Sequence, residues 1–168
     1  MSGGAEQSVS PMRKLIIFLI VIVLGIGLNS CKQDSSDKLA QDEIREILYS
    51  ISTDFNLKNM YEILEHLHTE YLHKGKIAHH FNINWLEYMG RFSLLDIEVL
   101  YIEIQDNKAV AHTKNTFSSA YETEVHNEPE DNGEISYFYR ENGVWYVYGN
   151  QQWAKKGVQR TLPCVAKK

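Results

Sequence analysis

Five histidines fall between positions 66 and 80: His66, His68, His73, His79 and His80. On a continued helix, His66, Glu70 and His73 would share one face at i, i+4 and i+7. Two imidazoles and a carboxylate are sound zinc ligands. Gly75 and irregular apolar spacing argue against such a helix, and a polar His-rich loop is the alternative. CxxC pairs are absent. The expectation is no bound metal and no cofactor, with these three residues as the candidate ligands should a metal be held.

Acid–base chemistry has two candidates. His112 sits in a run of alternating polarity, so a strand could aim it into a pocket, and an unperturbed imidazole pKa near ~6.5 suits a general base. Asp54 lies between two helical stretches, where it would serve as a base or, more simply, as a helix-terminus cap. Nucleophilic catalysis finds no support, since Gly-x-Ser-x-Gly, P-loop and dinucleotide patterns are all missing.

Binding chemistry is better represented. Tyr137, Phe138, Tyr139, Trp145, Tyr146 and Tyr148 crowd the last hairpin, and Trp85 stands apart on a helix. Tyrosine and tryptophan offer large, stiff, amphipathic contact area. Trp85, Tyr137, Tyr139, Trp145 and Tyr146 are the candidate binding residues, with cross-strand packing as the alternative use. The acids Glu122, Glu124, Glu128, Glu130, Asp131 and Glu134 lack the Gly-centred alternation of a calcium loop and read as a solvated connection.

These residues need elements to position them. Ile44, Ile47, Leu48, Ile51 and Phe55 recur at helical spacing and predict a helix over 39–53. Met60, Ile63, Leu64 and Leu67 predict a second, ending near His68, with Asn56 as its cap. A loop turning at Gly75 follows. A third helix covers 84–89 and stops at Gly90. From Ser93 the chain turns β-branched and aromatic. Strands are expected over 94–105 and 109–118, turning at Asp106-Asn107, with 119–126 continuing the second. A hairpin, 135–140 and 144–148, turns on Asn142-Gly143. Helices followed by antiparallel strands make an α+β domain, with N-terminal helices packed on one sheet face.

The helix pair running into Leu64-Glu65-His66-Leu67-His68-Thr69-Glu70, the Trp-bearing helix, the Asp106-Asn107 turn and the closing Glu141-Asn142-Gly143-Val144-Trp145 resemble the nuclear transport factor 2-like superfamily, SnoaL-like domains included. The resemblance covers most of residues 40–153. It implies a curved, cone-like sheet with helices closing its wide end over a pocket, and often a homodimer. Enzymes and plain binding modules share this fold, so it leaves function open.

The N-terminus carries an address. Arg13 and Lys14 precede an apolar run, 15–28, of a length suited to a signal peptide rather than a spanning helix. Leu28-Asn29-Ser30-Cys31 resembles a bacterial lipobox, which implies acylation of Cys31, palmitate included, and anchoring in a membrane. Met12 offers an alternative start. Lys32, rather than Asp, after the cysteine implies the outer membrane, on its periplasmic face or at the cell surface. The expected organisation is a signal peptide at 1–31, a tether at 32–38, the domain at 39–153 and a loose tail at 154–168.

Charge excludes one class of partner. The chain carries −5, and residues 1–30 hold Arg13, Lys14 and Glu6, a net +1, so the remainder carries −6. No nucleic-acid footprint exists. With Cys31 acylated, Cys164 has no cysteine left to pair with inside the chain. The favoured expectation is a lipid-anchored envelope protein whose domain binds a small apolar ligand or an envelope protein without catalysis. The alternatives are a pocket enzyme of isomerase, dehydratase or cyclase type, and a metal-binding envelope protein.

Overall fold

The computed structural model describes residues 35–151. The expected acylation site, Cys31, and the expected loose tail at 154–168 lie outside them. The chain divides into two units, Met1–Leu39 and Ala40–Lys168. In the first, residues 35–39 are helical, where a flexible tether was expected up to 38.

In the second unit, α1 covers residues 40–56. Ile44, Leu48, Ile51 and Phe55 fall on one stripe and are all buried. The helix outruns its expected end because its stop lies in Lys58, not Asp54. Lys58 adopts φ 60°. Its N–H bonds Phe55 O, and Asn59 N–H bonds Asp54 O, the paired bonds of a Schellman motif. Then α2 spans Met60–Glu65, shorter than expected. Asn56 does not cap it; the N-cap residue is Asn59, which makes no side-chain cap bond.

The loop around Gly75 is a miniature hairpin, β1 (Leu72–His73) and β2 (Lys76–Ile77), turning on Lys74 and Gly75 at φ 48° and 80°. Helix α3, Ala78–Arg91, is more than twice its expected length and runs through Gly90. Its first two turns are mostly His, Asn and Ile, so the stripe of Phe81, Trp85 and Met89 was hard to read from sequence.

Strands β3 (Leu94–Gln105) and β4 (Lys108–Ser118) form the expected long hairpin, with Asp106 at φ 57°. A bulge at Leu100 shifts the register between Val99 and Tyr101. Leu95, Ile97 and Val99 face inward before it, Ile102 and Ile104 after it. One extra residue thus keeps an apolar face across a change of parity. Residues 119–126 do not simply continue β4. The chain turns at Ser119, whose Oγ accepts from the N–H groups of Tyr121 and Glu122, and returns as β5 (Thr123–Glu128). The final hairpin, β6 (Tyr137–Glu141) and β7 (Val144–Val147), turns on Asn142-Gly143 as expected.

Strands β3 to β7 form one antiparallel sheet in the order β3-β4-β6-β7, with β5 also on β4. The far edge of β4 is shared: β5 takes Thr113–Ser118, and β6 takes Lys108–Val110. β5 and β6 thus lie end to end along one edge of a curved sheet. Phe117 on its inner face meets Phe55 of α1 at 5.5 Å and Trp85 of α3 at 6.4 Å between ring centroids. The architecture is α+β, helices against the inner face of a curved antiparallel sheet.

Candidate functional site

After Glu65 the chain leaves helical geometry and runs beside β7. Leu67 forms a parallel bridge to Val147. Val147 N–H donates to His66 O, His68 N–H to Val147 O and Leu72 N–H to Tyr148 O, at 2.9, 2.9 and 3.2 Å. This breaks the postulated metal triad. His66 turns to Ser50 Oγ at 3.1 Å, Glu70 accepts from the Tyr148 hydroxyl at 3.0 Å, and His73 bonds Asn132 O at 2.8 Å. No metal-binding group of three ligands occurs among the described residues.

The same path builds a different centre around His68. Its Nδ1 accepts the Glu70 N–H at 3.0 Å, so Nε2 carries the proton and donates to Glu141 Oε2 at 3.1 Å. Tyr139 and Tyr146 are cross-strand partners and, with Tyr148, surround the imidazole at 6.1, 5.6 and 4.8 Å between centroids. Above it opens a cleft of about 590 Å³. Leu64, Leu67 and Ala78 supply apolar lining; Glu65, His79, Asn82, Glu141 and Tyr146 supply polar groups.

The aromatic hairpin therefore splits by strand parity. Phe138 and Trp145 face the core. Tyr137, Tyr139 and Tyr146 lie half-buried on the opposite face, Tyr137 against the His73 ring at 5.9 Å. Trp85 is a core residue, stacked on Phe81 at 4.7 Å, with its Nε1–H donated to Glu134 Oε2 at 2.9 Å.

The acid–base candidates land elsewhere. His112 points away from the core, stacked on Tyr101 at 4.1 Å and within 3.6 and 3.9 Å of Glu103 and Glu130. The inward positions of β4 are Ala109, Ala111, Thr113, Asn115 and Phe117, so parity excludes His112. Asp54 is not a terminus cap; it accepts from Ser50 Oγ one turn earlier at 3.2 Å.

Two acids expected to be solvated are instead buried. Glu134 is 5% exposed and binds both Trp85 and Asn84. Glu128 is 4% exposed and accepts from the Gly133 N–H; burial pushes its carboxyl up. On β5, His126 reaches Glu124 at 2.7 Å and Glu128 at 3.9 Å. The hydrogen bond from His126 holds Glu124 below the usual carboxylate range. The alternation Glu124, His126, Glu128 was the available signal, masked by the expectation of a continuous strand.

No family model matches the chain, and no curated protein matches it. Among solved structures, Bd1075 of Bdellovibrio bacteriovorus is similar at 6% identity and a TM-score of 0.49, over 64% of this chain and 39% of its own length. This chain thus spans well under two thirds of that protein. A nuclear transport factor 2-like protein of unknown function from Shewanella oneidensis aligns over 64% of this chain and 93% of its own, at 10% identity and a TM-score of 0.46. Another, from Pseudomonas putida, aligns over 67% and 84%, at 14% identity and 0.48. The α+β arrangement stands on the chain's own elements: among the described residues, three helices and a curved five-stranded antiparallel sheet, in the order the resemblance implies.

Proposed function

We propose that the chain is a lipid-anchored bacterial envelope protein whose nuclear transport factor 2-like domain binds a small ligand or an envelope partner without transforming it. The observation that supports this is the filled interior. Phe55, Phe81, Trp85, Phe92, Phe117 and Phe138 pack between helices and sheet, each at most 5% exposed. The open volume lies outside, over His68. Both nitrogens of that imidazole are already engaged, so it orients a ligand and has no lone pair left for base catalysis. The cleft favours a molecule with an apolar face and N–H donors along one edge, which Glu65 and Glu141 would accept.

Native mass spectrometry on the full chain, purified without chelators, tests the binding claim and reports subunit count. A small organic adduct that Tyr146→Ala releases is the expected result. A bare chain that also crosslinks to no envelope protein in cells would sink it. Anchoring is tested by palmitate incorporation and outer-membrane fractionation. Both should vanish in Cys31→Ala, and a Cys31→Ala chain that still fractionates with the outer membrane refutes the anchor.

One observation favours a second reading, a pocket enzyme of isomerase, dehydratase or cyclase type. His126 faces inward between Glu124 and Glu128, an arrangement able to hold and pass a proton. Turnover of a ketone or enol substrate that His126→Asn abolishes would shift the assignment to it.

A further inference from the structure

A second cleft, of about 330 Å³, shares Glu65 and Tyr146 with the first and opens between α1, α2 and the tip of the β6–β7 hairpin. Glu43, Ile47, His66 and Trp145 also line it. Its polar groups are arranged in an unusual way. Ser50 Oγ donates its one proton to Asp54 Oδ2, so it must accept from His66, whose Nε2 lies 3.1 Å away. The neutral His66 ring thus keeps its proton on Nε2 and presents Nδ1 as an acceptor. Trp145 is 97% buried, and its Nε1–H has no hydrogen-bond partner among the described residues. A buried indole donor left unpaired is costly and uncommon. Glu43 Oε2 is likewise without a hydrogen bond. Arg140 pairs with Glu43 at 3.7 Å, an ion pair too long to be a hydrogen bond, and its guanidinium lies 5.7 Å from the centre of the Trp145 ring.

The cleft is therefore lined by two carboxylates, Glu43 and Glu65, with His66 beside them, and the unspent indole donor of Trp145 lies buried at its wall. Two carboxylates repel anions, and the acceptors ask for N–H groups. We propose that this cleft binds a small primary amine carrying an oxygen acceptor two or three bonds from its nitrogen, the class of amino alcohols, amino sugars and amino-acid amides. The ammonium donates to the carboxylates and His66, and its charge lies against the Tyr146 ring. The oxygen accepts from Trp145 Nε1–H.

The test uses the full-length chain, ¹⁵N-labelled, with three probes: glycinamide, which has both groups, acetamide, which lacks the ammonium, and ethylammonium, which lacks the acceptor. The indole N–H resonances are followed, and Trp145 is assigned by its loss in Trp145→Phe. Glycinamide should shift that resonance saturably. Each truncated probe should bind about tenfold more weakly or worse, and so should glycinamide to Glu43→Gln/Glu65→Gln. An unmoved Trp145 indole, equal responses to the three probes, or unchanged binding by the double variant would each overturn the proposal.

Discussion

Asn56 and Leu95 exchange two hydrogen bonds across the gap between α1 and β3. Asn56 Nδ2 donates to Leu95 O at 3.2 Å, and Leu95 N–H donates to Asn56 Oδ1 at 2.7 Å. The carboxamide of one helical residue thus acts as the missing neighbour strand for a buried strand residue. Ser52 Oγ adds a bond to the same carbonyl at 2.7 Å, and Lys58 Nζ reaches Phe92 O. Together they fix where the helix ends relative to where the sheet begins.

Removing that clasp should be expensive. Asn56→Ala leaves the Leu95 N–H buried without a partner, while the carbonyl keeps Ser52. A loss of about 2–3 kcal/mol is expected. Urea unfolding followed by circular dichroism measures it, and Asn56→Asp, which keeps the acceptor for Leu95 N–H, should recover part of the loss.

Two glycines with positive φ should respond unequally. At Gly149 (φ 75°) a Cβ would stand 2.5 Å from Leu72 O, a backbone atom unable to move aside cheaply. At Gly143 (φ 87°) a Cβ meets nothing within 4 Å. Gly143→Ala should cost about 1 kcal/mol for the left-handed backbone alone. Gly149→Ala should cost about 3 kcal/mol or more and lower the melting temperature correspondingly. Equal losses would contradict the contact between β1 and the end of β7.

Acid should weaken the fold through His73. Burial pushes its pKa down, with the Asn132 carbonyl bond opposing, and Nδ1 is buried without a hydrogen bond among the described residues. As pH falls below the ordinary histidine range, the unfolded chain takes up a proton that the native ring resists. The stability is present in full above that range and is lost as pH falls towards the folded-state value. In His73→Gln, which keeps a donor for Asn132, denaturation midpoints should depend less on pH in that window.

Glu128 runs the opposite way. Burial raises its pKa, with the Gly133 N–H opposing. The native state therefore holds its proton more tightly than the unfolded chain. Its contribution is fully present below the ordinary glutamate value and is lost as pH rises through the folded-state value. Glu128→Gln should stabilise the domain at neutral pH and remove that slope, as thermal unfolding from acid to neutral pH would show.

Much of this architecture was legible locally. The α1 stripe, the Asp106-Asn107 and Asn142-Gly143 turns and the long β3–β4 hairpin depend on neighbours within one or two turns of chain, where periodicity and φ preference act. The short α2, the early start of α3 and the bulge at Leu100 were not. Each is decided by what the segment packs against. The metal triad failed for the same reason. Leu67 found an edge strand eighty positions away, and that bridge outcompeted helix continuation.

By itself, the sequence determined the α+β class, the order of elements, most strand positions, a net acidic charge, and an N-terminus resembling a lipoprotein signal. Tertiary structure decided the rest: that His112 faces out and His126 in, that Glu128 and Glu134 are buried, and that His68 meets Glu141 under three tyrosines. The reason is physical. Propensity and turn chemistry act over a few residues, whereas a side chain's face follows from strand register, and a site's partners follow from curvature that joins segments more than seventy positions apart.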